Sequence, residues 1–163
     1  MCIRDRLRIS IPYRIYGGLR FYERLEIKNA IAYLRIIFNN NDNPSFERSI
    51  SNPTRGVGEK TLGKIRNIAK KYNISYIKAS AKLIDEGSVS GRGGSGLRDY
   101  LEFVAGCKNF IEENNLSELM ELIIKESGLY AYHAKEAGEK GKTRTENLEE
   151  LSLIHISEPT RPY

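Results

Sequence analysis

One segment near the start of the chain reads as a β-strand, and nothing after it supplies a partner. Residues 11 to 16, IPYRIY, alternate large apolar or aromatic side chains with others and end at Gly17-Gly18, the pattern of a strand closing in a turn. A single strand cannot form a sheet. The fold is therefore expected to be mainly α, with the strand's partners in sequence outside this chain.

The rest of the chain carries a helical period. Ile27, Ile31, Leu34 and Phe38 recur at three- or four-residue spacing from Phe21 onward, with Glu23, Arg24, Glu26 and Lys28 near the start, which predicts an amphipathic helix of about four turns. It should stop in NNNDNP, residues 39–44, where Asn and Asp favour turns and Pro44 biases its predecessor away from helix. Further helices are expected over 45–50, 59–72, 75–85, 97–113, 117–125 and 145–151. Loops are expected at SNPTRGVG, EGSVSGRGGSG and EAGEKGKT, all rich in Gly, Ser or charge.

The two ends bear on which residues belong to this fold. MCIRDR and the run Leu151 to Ile156, LSLIHI, can be encoded by reverse-complementary DNA. The shared word, with its continuation SEPTR, resembles the adapter attached in transposase-based library preparation. Residues 1–6 and 152–163 are expected to be adapter-derived scars, with Arg6 and Leu151 at the junctions, and the chain an internal piece of a longer one. The alternative is a natural basic N-terminus and a polar tail. Without the scars, residues 7–151 have the length of about one domain, and the net charge falls from +5 to +4. A mild basic excess fits a nucleic-acid partner without demanding one.

Cys107 and His133 are then the lone cysteine and histidine, too few for a disulfide framework or a metal cluster. No apolar run approaches the roughly 20 residues that span a bilayer. The expected setting is cytoplasmic, with no membrane partner.

Two glycine-rich stretches imitate nucleotide sites. GRGGSG, residues 91–96, matches G-x-G-x-x-G, but a dinucleotide site needs those glycines between a strand and a helix, and what precedes them reads as a helix end. GEKGKT, residues 138–143, ends like a phosphate-binding loop, yet Glu136 stands where that loop needs its first glycine. A carboxylate there adds bulk and like charge beside a triphosphate.

NPTRGVGEKT, residues 52–61, is more informative. Gly56-Val57-Gly58 permits a tight turn, and Glu59 opens a helix carrying Lys60, Lys64, Arg66, Lys70 and Lys71. A glycine–apolar–glycine turn between helices is similar to a helix-hairpin-helix element. In such an element the turn and the second helix's N-terminus grip a phosphate, while the apolar residue anchors the hairpin. An ordinary helical corner with a solvated basic face fits this stretch equally well.

Taken together, IPYRIYGGLRFYERLEIKNAIAYLRII, NPTRGVGEKTL and GEKGKTRTENLEEL resemble, in order and spacing, the UvrD-like superfamily 1 ATP-dependent DNA helicases of the DNA helicase II type. The resemblance covers nearly all of residues 7–151. It implies that residues 7–38 are the edge of a second RecA-like motor domain, contributing one strand and one helix, and that residues 39–151 are part of a helical 2B-type subdomain inserted into it. It further implies that Gly17, Gly18, Phe21 and Arg24 lie near the single-strand path. Thr54, Arg55, Gly56, Val57 and Gly58, followed by Lys60 and Thr61, would contact duplex DNA phosphates ahead of the fork. Val57 stands where isoleucine is commoner in the family and keeps the apolar anchor.

The implied parent is a 3′-to-5′ DNA helicase acting at single-strand/duplex junctions in repair or replication, with ATP and Mg²⁺ as its cofactors. The family's phosphate-binding loop, its acidic pair and its phosphate-sensing arginines map outside this chain, which is expected to bind no nucleotide and hydrolyse nothing. A free-standing helix-hairpin-helix DNA-binding module and a small nucleotide-binding protein built on GRGGSG or GEKGKT are the competing expectations.

Overall fold

The computed structural model describes residues 19–157. The strand expected at 11–16, with Gly17 and Gly18, lies outside them. Among the described residues the chain is helical with no strand: α1 (Leu19–Glu23), α2 (Leu25–Phe38), α3 (Asn43–Ile50), α4 (Glu59–Tyr72), α5 (Tyr76–Asp85), α6 (Gly91–Ile111), α7 (Leu116–Glu126), α8 (Leu129–Ala134) and α9 (Gly138–Ser157).

Local chemistry sets many of these boundaries. Arg24 takes extended backbone at φ −68° and ψ 144°, which divides the helix expected from Phe21 into α1 and α2. Asp42 caps α3, its carboxylate accepting from the Ser45 amide at 3.1 Å, with Pro44 in the first turn, where a missing N–H costs nothing. Ser75 caps α5 through the Lys78 amide at 3.2 Å. Asn115 and Glu118 cap α7 reciprocally, at 2.8 and 3.0 Å. Asn73, left-handed at φ 54°, ends α4.

Helix α2 is the hub. It packs against α1, α3, α6, α7 and α9, and Ile27, Ala30, Tyr33, Ile36 and Ile37 are all buried along it. Phe46, Ile50, Leu97, Tyr100, Val104, Leu119, Met120, Ile123, Leu148 and Leu151 complete one continuous apolar cluster. Edge-to-face ring pairs lock it, Phe46 on Tyr100 at 5.3 Å and Tyr33 on Phe103 at 5.8 Å. The core thus runs across residue 38 without a break.

A second fastening joins α9 to α2. The buried Glu26 carboxylate accepts from the Asn147 amide nitrogen at 2.8 Å and lies 3.7 Å from the Arg144 guanidinium. Arg144 also donates to Glu136 at 2.8 Å, and Glu136 meets Nδ1 of the buried His133 at 2.8 Å. The Arg144 and His133 hydrogen bonds hold the Glu136 carboxyl below its usual range, the His133 bond contributing most. Burial pushes the Cys107 thiol up to about 12, which keeps it protonated and inert.

Three expectations need correction. GRGGSG is not a loop but the first turns of α6, and GEKGKT opens α9. Glycine is a poor helix former, and here it is present for close approach: a Cβ at Gly141 would stand 2.4 Å from the Glu136 carbonyl oxygen. Helix α8 was not foreseen, because its six residues are too few to display a period. Finally, α9 spans Gly138–Ser157 rather than 145–151. The Ser152 carbonyl, just past the expected junction, accepts from the Ser117 hydroxyl at 3.1 Å.

Candidate nucleic-acid interface

In the connection from α3 to α4, exposed glycines, a helix N-terminus and basic side chains meet. It leaves α3 through Ser51 and a cis Asn52-Pro53 bond, passes Thr54 and Arg55, and turns at Gly56. Gly56 has φ +83°, a conformation open to glycine at little cost. Val57 then enters the core at 8% exposure, a burial worth about 1.5–3 kcal/mol for a side chain of this kind. Gly58 is the α4 N-cap, with φ −99° and ψ −171° and no side chain to cap the helix.

The consequence lies at the helix end. The first N–H groups of α4 have no intrahelical acceptor, and Gly58 and Lys60 beside them are exposed while Thr61 is half-buried. A Cβ at Gly58 would meet nothing within 4 Å. The helix dipole and these amides favour an anion at such a place.

Arg55 faces the other way. Its Nη1 donates to the carbonyls of Ser49 at 3.1 Å, Ile50 at 3.3 Å and Pro53 at 3.1 Å. Its Nη2 donates to the Tyr33 hydroxyl and to the Ser127 carbonyl at 3.2 Å. The guanidinium carbon sits 5.4 Å from the centroids of both the Tyr33 and Tyr100 rings, within cation–π range. Tyr33 in turn donates to the Asn52 carbonyl at 2.9 Å, and the Tyr100 and Ser49 hydroxyls share a hydrogen bond of 2.6 Å. Burial raises the Tyr33 phenol to about 12 against the opposing pull of Arg55, and burial likewise raises that of Tyr100. The arginine thus ties the turn to α2, α6 and the α7–α8 junction.

The start of α6 explains GRGGSG. A Cβ at Gly96 would come 2.0 Å from the Arg55 carbonyl oxygen, one at Gly94 2.8 Å from the Val89 carbonyl oxygen, and one at Gly93 3.2 Å from the Thr61 hydroxyl. Gly93 and Gly96 let α6 lie directly on the turn, while Gly94 lets the chain at Val89 fold close against the start of α6. Arg92, from the same segment, covers the turn from outside, its Cγ 2.8 Å from where a Gly56 Cβ would stand. Sequence reasoning passed over Arg92, Tyr33 and Tyr100 as parts of this site. The available signal was the spacing of Gly93 and Gly96, which a helix places on one face.

Phe21 is buried at 2% exposure, stacking edge-on against Tyr22 at 5.3 Å. Arg24 is exposed and lines a shallow cleft with Glu26, Lys140 and Arg144. That cleft shares no lining residue with the turn, so Arg24 and the turn are not brought together.

The glycine turn of this helical domain is braced from α2, α6 and the α7–α8 junction, and comparison with known proteins supplies the family. The UvrD-like helicase C-terminal domain matches residues 3–88, more than half of the chain, and the chain belongs to that family. It is 43% identical over 145 residues to DNA helicase II of Escherichia coli strain K12 and 44% identical over 145 residues to that of Haemophilus influenzae. It is 34% identical over 148 residues to the ATP-dependent DNA helicase PcrA of Leuconostoc citreum. These matches cover 89%, 89% and 91% of this chain but 20% of each relative. The chain spans about a fifth of the length of these curated relatives. Among the described residues no helix is long and apolar enough to cross a membrane.

Proposed function

We propose that this chain is the part of an ATP-dependent 3′-to-5′ DNA helicase that holds duplex DNA by its phosphates beside the single-strand/duplex junction, in repair or replication. In this reading residues 7–38 border the second motor domain and residues 39–151 form part of the inserted helical subdomain. Family membership supports the parent activity. One observation carries the local role: Gly58 leaves the α4 N-terminus uncapped and open while Val57, beside it, is buried.

Thr54, Gly56, Gly58, Lys60 and Thr61 form the contact surface; Val57 and Arg55 hold it in shape. Phe21 and Arg24 belong to the motor-domain segment near the single strand. ATP and Mg²⁺ act elsewhere in the parent, so DNA-stimulated ATP hydrolysis by this chain alone would contradict the reading.

The direct test is Gly58→Ala. The added methyl meets open space and the backbone angles suit alanine, so the thermal midpoint should fall by no more than about 2–4 °C, the cost of alanine in place of glycine at an N-cap. Duplex affinity should fall about fivefold, the equivalent of roughly 1 kcal/mol. The loss should be the same for duplexes of unrelated sequence, because phosphate contacts carry no base information. Undiminished duplex binding by a folded variant would remove the turn from the interface.

A further inference from the structure

Helix α4 carries a row of lysines that the turn does not use. Lys60, Lys64 and Lys71, with Asn67 between them, are all exposed. At 100° per residue their positions fall within a sector of about 60°, directly opposite the buried Leu62, Ile65 and Ala69. From Lys60 to Lys71 the row runs about 16 Å along the helix axis. It begins at the turn and ends at Tyr72, whose half-exposed ring has Lys71 at 5.3 Å and Lys82 at 4.7 Å.

The acidic groups around this helix are drawn to its flank. Arg66 holds the Glu59 carboxylate at 2.7 Å and the Glu47 carboxylate, from α3, at 2.9 Å, and its hydrogen bond keeps the Glu47 carboxyl below the usual range. Among the described residues, Lys60, Lys64 and Lys71 have no carboxylate partner. Lys64 makes one bond, to the Ser88 carbonyl at 3.1 Å, and an ammonium keeps two further donors. The row is therefore an unneutralised strip of positive charge on a rigid rod.

We infer that the Lys60–Lys64–Lys71 face of α4 is a phosphate track that extends the duplex contact from the turn along one DNA strand. The occupant follows from charge and length: with one phosphate per 3.4 Å of axis on each strand, 16 Å spans about five steps. Continuity with the turn places that strand across the α4 N-terminus. This inference rests on the turn's proposed role and adds its direction and footprint.

The test uses the full chain, a duplex of about 20 base pairs and fluorescence anisotropy over a salt series. The Lys64→Gln/Lys71→Gln double variant is compared with Lys108→Gln/Lys135→Gln, which removes the same charge from exposed sites on other elements. Glutamine matches lysine in helix propensity, and thermal melting verifies the fold. The track variant should lose close to two units from the slope of log affinity against log salt, about 0.9 per lysine, with the control slope unchanged. Equal changes in both double variants, or a wild-type slope in the track variant, would overturn the track. So would an equal slope change on a single strand with no preference for duplex. If Gly58→Ala weakens binding while the track variant does not, the turn stands and the track falls. If the unmodified chain binds no duplex, both fall.

Discussion

Gly96→Ala should destabilise the protein severely although alanine is the better helix former. The new methyl would sit 2.0 Å from the Arg55 carbonyl oxygen and 3.0 Å from its carbon, so both colliding groups are backbone and no side chain can swing away. Overpacking of this kind costs about 1–3 kcal/mol and occasionally more, and this site belongs at the upper end. For a chain of this size that lowers the thermal midpoint by roughly 10 °C. Gly106 in the same helix is the comparison: a Cβ there meets nothing within 4 Å, and Gly106→Ala should stabilise by about 0.5–1 kcal/mol. Thermal unfolding followed by circular dichroism reads both. Equal midpoints for the two variants would mean that α6 does not lie against the turn.

Arg55→Ala should be comparably costly, by about 3–5 kcal/mol. It strips the carbonyls of Ser49, Ile50, Pro53 and Ser127 of a donor and leaves the space between two aromatic rings empty. An unmet buried acceptor costs about 1–3 kcal/mol by itself. Arg55→Lys should recover only a minor part, since an ammonium cannot reproduce a planar fork stacked on rings. Chemical denaturation measures the losses, and full recovery by lysine would show that charge alone matters.

The same cluster should mark the alkaline limit of stability. The folded Tyr33 phenol stays protonated to about 12 against an ordinary 10.0, so above pH 10 the unfolded chain holds fewer protons than the folded one. The Tyr33 contribution is then complete below pH 10 and is lost from pH 10 to 12. Tyr33→Phe should flatten that decline.

Much of the helical frame was legible in the sequence because apolar period and cap residues act locally. The helices expected over 45–50, 75–85 and 117–125 fall on α3, α5 and α7, and the expected helix at 59–72 matches α4. The glycine segments misled because composition records propensity and not proximity. Gly94 and Gly96 are inside a helix for the sake of carbonyls at Val89 and Arg55, a reason invisible without the fold. The glycine turn itself was readable. The orientation of Arg55 was not: beside glycines and lysines an arginine resembles a phosphate ligand, whereas its acceptors come from residues 49, 50, 53 and 127.

One of those acceptors, Ser127, is 72 positions from Arg55, and Tyr33 is 22 away on the other side. An eight-residue surface connection ordinarily opens and closes by itself, at a free energy far below that of global unfolding. This one cannot change shape without detaching from α2 and from the α7–α8 junction together. Its local opening is therefore as rare as the loosening of the core, and an anion arriving there meets a preformed surface instead of a loop that must first be ordered.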